Sequence, residues 1–188
     1  MRRLIKNDEG FTLSELAVYG ALLGIVLTTA AGILISGSIA ERTVRVAVGA
    51  STESQLVADS IETGVRNSSG YALSAPSAGT QLLRARVAQG TTGVVWNCAA
   101  WYYTPNLSNG SIWYKASSSA ILNPTTGNIA TWTMLADDVK PENGTTVFSI
   151  GANQLSFAFH TEAGTDPAVG ISSSATSRAS VWETLPCF

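Results

Sequence analysis

An α+β fold is predicted for this chain by three observations. An apolar run covers residues 11–40, a helical apolar spacing continues to about residue 66, and the pattern switches to period-two alternation after Gly70. The expected architecture is one long N-terminal helix, its first half embedded in a membrane, packed through its second half on an antiparallel β-sheet head. The chain divides accordingly into a segment 1–10, an apolar helix 11–40, an amphipathic continuation 41–69 and a β-rich head 70–188.

The first ten residues, MRRLIKNDEG, are polar and net basic, and the character then changes abruptly. Glu15 is the only charged residue between positions 11 and 40. As a helix, residues 16–40 reach about 37 Å, enough to cross a hydrocarbon core of about 30 Å. Two ordinary readings are available. Arg2, Arg3 and Lys6 before an apolar run, with Ser38-Ile39-Ala40 as a small-x-small site, suit a secretory signal peptide, although the run is about twice the usual length. A plain anchor with its amino end inside is the other. Neither accounts for Glu15, since a carboxylate at membrane depth costs about 2.5–3.5 kcal/mol and less near the interface.

Within the apolar run, Gly20 and Gly24 form a G-xxx-G pair that permits close helix approach. Gly24 and Gly32 bracket a stretch expected to loosen, because glycine costs a helix about 1 kcal/mol relative to alanine. Beyond it, Val44, Val48, Val57, Ile61 and Val65 recur largely at four-residue spacing among charged neighbours, and Asn67-Ser-Ser-Gly70 reads as the helix stop. Strands are predicted over 82–87, 94–103, 111–115, 128–134, 145–150, 155–160 and 179–184. Turns are expected at Leu107-Ser-Asn-Gly110 and Gly151-Ala-Asn-Gln154.

Charged residues make up 13 % of the 188, well below the quarter usual for soluble domains. A net charge of −2 offers no basic stripe for nucleic acid. Cys98 and Cys187 lack the neighbours a metal site needs; a disulfide is the expectation for an exported head, with two free buried thiols as the alternative. The aromatics Trp96, Trp101, Tyr102, Tyr103, Trp113 and Tyr114 suit a sheet core better than a sugar- or surface-binding patch. Asp137-Asp138 with Glu142 fits no calcium-loop spacing and reads as a solvated turn. His160 is the only histidine, and no nucleophile elbow, metalloprotease pair or phosphate loop is present. No enzyme activity, metal or cofactor is therefore expected.

The order Gly10-Phe11-Thr12-Leu13-Ser14-Glu15-Leu16, after a short basic leader and before the apolar run, resembles the class III signal of type IV prepilins and type II secretion pseudopilins. The resemblance implies cleavage after Gly10 by a prepilin peptidase and N-methylation of the new terminus, Phe11. It implies that Glu15 sets subunit register by meeting a neighbour's amino terminus, and that Gly20 and Gly24 lie in the helix that packs between subunits. It further implies a helix-on-sheet head. Partners would be other pilin subunits, the peptidase, the inner-membrane assembly machinery and, before assembly, lipid. The protein would sit in the cytoplasmic membrane with its head outside, then in an extracellular filament.

The early Leu82-Leu83-Arg84, the hairpin ending Gly110-Ser-Ile-Trp-Tyr-Lys115 and the late Val147…Phe159 pair loosely resemble larger minor subunits of the J or W type. Major type IVa pilins close a short C-terminal disulfide loop, unlike the distant Cys98 and Cys187. A secretion pseudopilin, a major pilin and a monomeric anchored binding protein stand as alternatives.

Overall fold

The computed structural model describes residues 12–89, 93–107, 109–125, 127–142, 144, 146–163, 166–178 and 187. The chain clusters into two units, residues 1–44 and 45–188, with helix α1 (Leu13–Arg66) contributing to both.

In the first unit α1 is the whole of the described structure, and its large side chains, including Leu16, Leu22, Ile25 and Leu34, are exposed. By length and composition the helix is able to cross a membrane. Three of its hydroxyls are satisfied from within: Thr28 Oγ1 donates to the carbonyls of Gly24 (3.0 Å) and Ile25 (2.9 Å), Thr29 Oγ1 to those of Ile25 (3.1 Å) and Val26 (2.9 Å), and Ser38 Oγ to that of Leu34 (3.0 Å). Hydroxyls that bond back to their own helix need no water, which suits a segment facing hydrocarbon. The loosening expected between Gly24 and Gly32 is absent, and the α-helix runs unbroken through both glycines. Their cost of about 1 kcal/mol each is spread over a helix whose backbone hydrogen bonds continue on either side.

In the second unit the remainder of α1 packs against two antiparallel sheets. One is a five-stranded meander, β1 (Ser68–Ser74), β2 (Gln81–Gln89), β3 (Val95–Thr104), β4 (Ser111–Ser117) and β5 (Thr133–Ala136). The other is organised on β8 (Gln154–Ala163), which pairs with β6 (Val139–Pro141), β7 (Phe148–Gly151) and β9 (Asp166–Thr176). A 3-10 turn, Ile129–Thr131, precedes β5. The helix ends at Arg66 as its stop signal predicts, but Ser68 starts β1 at once. The strand expected over 128–134 is instead that 3-10 turn followed by β5, and the strand expected over 179–184 lies outside the described residues.

Alternation in β2 and β3 builds two cores, one on each face of the meander. Leu83, Ala85, Trp101 and Tyr103 face α1, where Val57, Ile61 and Val65 join Phe148, Leu155, Phe157 and Phe159 of the second sheet. Leu82, Cys98, Ala100 and Tyr102 point the other way and are covered by Ile121, Trp132 and Cys187. The helix face differs from its sequence reading. Ala50, Ser54, Val57, Ile61, Gly64 and Val65 are buried, whereas Val44 and Val48 are about 60 % exposed. The four-residue ladder that joined them to Val57 does not hold, because the true stripe drifts at 3.6 residues per turn.

Buried polar groups fix the layers. Gln81 lies inside, with Nε2 donating to the Phe148 carbonyl at 2.8 Å and Oε1 accepting from the Val147 and Phe148 amides at 2.6 and 3.0 Å. The Ser54 and Thr161 hydroxyls pair at 2.8 Å between helix and β8, and the Trp101 indole N–H donates to Ser60 Oγ at 2.9 Å. The predicted turn before β4 forms, with the Gly110 amide donating to the Leu107 carbonyl at 2.9 Å. Gly110 has φ +107°, and an added Cβ would lie 2.0 Å from the Val139 carbonyl oxygen, so only glycine fits.

Cys98 and Cys187 are joined in a disulfide, with Cα atoms 5.5 Å apart and both residues buried. It fastens the C-terminal end to the outer face of the meander beside Tyr102 and Trp132. Reduction is expected to cost the head about 2–5 kcal/mol, since the closed loop is long. Non-reducing peptide mapping should recover one linked peptide, and thermal melts with and without reductant should show the loss; an unchanged melting temperature would contradict this staple.

Candidate functional site

Gly10 and Phe11, the expected cleavage pair, lie outside the described residues. The first described residue is Thr12, and α1 starts immediately after it. The Glu15 and Leu16 amides both donate to the Thr12 carbonyl at 3.1 Å, and the Glu15 amide reaches Thr12 Oγ1 at 3.3 Å. Thr12 Oγ1 in turn lies 3.5 Å from Glu15 Oε2 and 3.1 Å from Ser14 Oγ. Thr12-Leu13-Ser14-Glu15 thus has the T-x-x-E spacing of a capping box, a signal that the sequence reading passed over. Glu15 is exposed and stands in the first turn, where the helix dipole favours a negative charge by about 0.3–1 kcal/mol.

Gly20 and Gly24 have open space where a side chain would stand, with nothing within 4 Å of an added Cβ. They follow Glu15 along a surface of Leu16, Val18, Tyr19, Leu22 and Leu23, each more than half exposed. An acidic first turn, a pair of small residues and an apolar surface thus succeed one another along one helix. Such a surface has two chemical uses, contact with lipid and contact with another apolar helix.

The head distributes its remaining candidates as packing and ion pairs. Trp101, Tyr102 and Tyr103 are buried, and Trp113 and Tyr114 are partly so. Trp96 departs from the expected core role: it is 38 % exposed, with the Arg86 guanidinium 4.6 Å from its ring centroid. His160 Nδ1 lies 3.1 Å from Glu142 Oε2, and Lys140 pairs with Glu162, whose carboxyl that hydrogen bond holds below the usual range. Glu142 is thus engaged by His160. Asp138 has φ +49° and accepts from Asn109 Nδ2 at 3.0 Å. Glu53 of α1 has its carboxyl raised above the ordinary value, first by partial burial and then by the charges of Asp137 and Asp138. Among the described residues no three His, Cys, Asp or Glu side chains gather as metal ligands would.

Comparison with protein-family models, with curated proteins and with solved structures finds no match. A long apolar N-terminal helix, its later turns packed on antiparallel sheet in a disulfide-closed head, fits a pilin-like fold.

Proposed function

We propose that this chain is a pilin-like subunit, cut after Gly10 and assembled through its N-terminal helix into an extracellular filament as a minor subunit of the J or W type. One observation carries the reading. The head completes its cores without residues 13–44, while residues 13–40 of that helix present an apolar surface whose one charge is Glu15 near its start. Removing so much apolar area from water is worth about 25 cal/mol per Å², so the helix needs a bilayer first and other helices later. Glu15 and the preceding Gly10-Phe11 distinguish this segment from a plain anchor, for which a carboxylate is only a cost. The partners on this reading are lipid, a prepilin peptidase, assembly machinery and further pilin subunits.

Processing provides the test. The native N-terminal peptide should begin at Phe11 and carry one additional methyl group, as read by mass spectrometry. Gly10→Val should leave the protein uncut in the membrane, because a branched side chain replaces the unhindered backbone at the scissile position. A mature start at Glu41, or retention of Met1, would overturn the reading in favour of a signal peptide or a plain anchor.

A further inference from the structure

The outer face of the meander, turned away from α1, carries a cavity. It opens at one end of the sheet, where the β1–β2 turn, the end of β3, the turn that follows and the covering segment before β5 converge, and its volume is about 240 Å³. Tyr102, Leu107 and Ile129 give it an apolar wall, and Tyr102 is held by a tilted contact with Trp132 at 6.2 Å between ring centroids. Ser77, Thr104, Asn106 and Thr125 supply hydroxyls and a carboxamide. None of the described lining residues carries a charge.

The polar rim is only partly used by the fold. Thr104 Oγ1 accepts from the Asn106 amide at 3.3 Å, and Ser77 Oγ lies 3.1 Å from Thr80 Oγ1. The Asn106 carboxamide and the Thr125 hydroxyl have no hydrogen-bond partner among the described residues. Donors and acceptors are thus left for a ligand, beside an aromatic and aliphatic wall.

We propose that this cavity binds one neutral sugar ring. Three properties select that class. The volume is below the range of about 300–1,000 Å³ that takes drug-sized ligands and suits a single six-membered ring. A ligand charge entering it would lose water and meet no countercharge, so acidic and basic ligands are disfavoured. A pyranose presents an apolar face of C–H bonds and a rim of hydroxyls, matching a tyrosine wall and a rim of hydroxyl and amide groups.

The test uses the full chain in micelles of a detergent that has no sugar headgroup. Saturation-transfer NMR with glucose, galactose and mannose is compared with glucuronate and N-acetylneuraminate. The expected result is transfer to ring protons of at least one neutral hexose and none to the acidic sugars. Asn106 and Thr125 are exposed, so Asn106→Ala and Thr125→Ala leave the core intact; each should weaken binding about five- to tenfold, the loss of one hydrogen bond. Met134→Ala, an exposed change on β5 outside the cavity, should leave binding unchanged. Absence of transfer from all three hexoses, equal transfer from the acidic sugars, or affinity unaltered by both cavity variants would each overturn the proposal. The outcome is independent of N-terminal processing, so this site and the filament reading fail separately.

Discussion

Gly64→Ala should destabilise the head by about 2 kcal/mol, lowering its melting temperature by about 5–10 °C. The direction is not obvious, because alanine in a helix interior normally gains about 1 kcal/mol over glycine. Here an added Cβ would lie 2.2 Å from Trp101 Cη2 and 2.6 Å from Cζ2, inside any real contact distance. The indole cannot easily retreat. It is 1 % exposed, packs on Tyr114 at 5.6 Å between ring centroids, and is tied by its N–H to Ser60 one helical turn away. Helix and sheet must therefore separate, and overpacking of this kind costs about 1–3 kcal/mol or more. Trp101→Phe shortens the ring and should be destabilising alone through lost contacts and the lost Ser60 bond. In the double variant it should relieve the clash, so the two changes should sum to less than their separate losses in a double-mutant cycle. A melting temperature that rises on Gly64→Ala would show that α1 does not approach β3 as closely as described.

Gly64 also illustrates what sequence patterns reveal and conceal. Apolar periodicity located the long helix, its stop at residues 67–70 and the strands β2, β3, β4 and β8, because each buries large side chains at a regular period. It did not show that Gly64 forms the groove for Trp101, since a glycine in a helix carries no apolar signal. β9 was missed for a related reason. Its stretch Val169-Gly-Ile-Ser-Ser-Ser-Ala175 is weakly apolar and low in strand propensity, yet β8 supplies a full partner edge, and tertiary pairing overrides propensity. β1 was hidden because Ser68-Ser-Gly70 ends one element and begins the next. β6, three residues with a proline at its end, is too short to show a period. Val44 and Val48 were assigned to the packed face because valines at four-residue spacing imitate a stripe. Both are exposed instead and join neither core.

The candidate site was legible in residue type more than in geometry. Glu15 stands out as the lone charge in an apolar run, a contrast that needs no coordinates. Thr12 does not stand out, because its role depends on where the first helical turn begins. Its position before Leu13 makes it an N-cap, and it gives Glu15 a local partner as well as a proposed distant one.

That second role sharpens the most consequential prediction. Glu15→Gln should be cleaved and inserted as wild type, yet its ratio in sheared filaments to membranes should fall at least tenfold. On the proposed mechanism the carboxylate enters an assembly interface, loses water, and is matched by the cationic amino terminus of a neighbouring subunit. Leaving one member of a buried ion pair alone costs about 3–5 kcal/mol, so even partial burial yields a factor of ten, which corresponds to about 1.4 kcal/mol. Glutamine keeps the length of the side chain and the capping-box pattern with Thr12, since both Glu and Gln serve at that position. It therefore removes the charge while retaining the helix start. Thr12→Ala makes the complementary change: it deletes the cap, costing about 1 kcal/mol of helix stability, and leaves the charge in place. If pairing between subunits is the function of Glu15, Thr12→Ala should enter filaments nearly as well as wild type while Glu15→Gln does not. If capping is its function, Thr12→Ala should be the more damaging and Glu15→Gln nearly silent. Equal incorporation of both variants would remove Glu15 from assembly altogether, and the Gly10-Phe11 signal would then account for targeting alone.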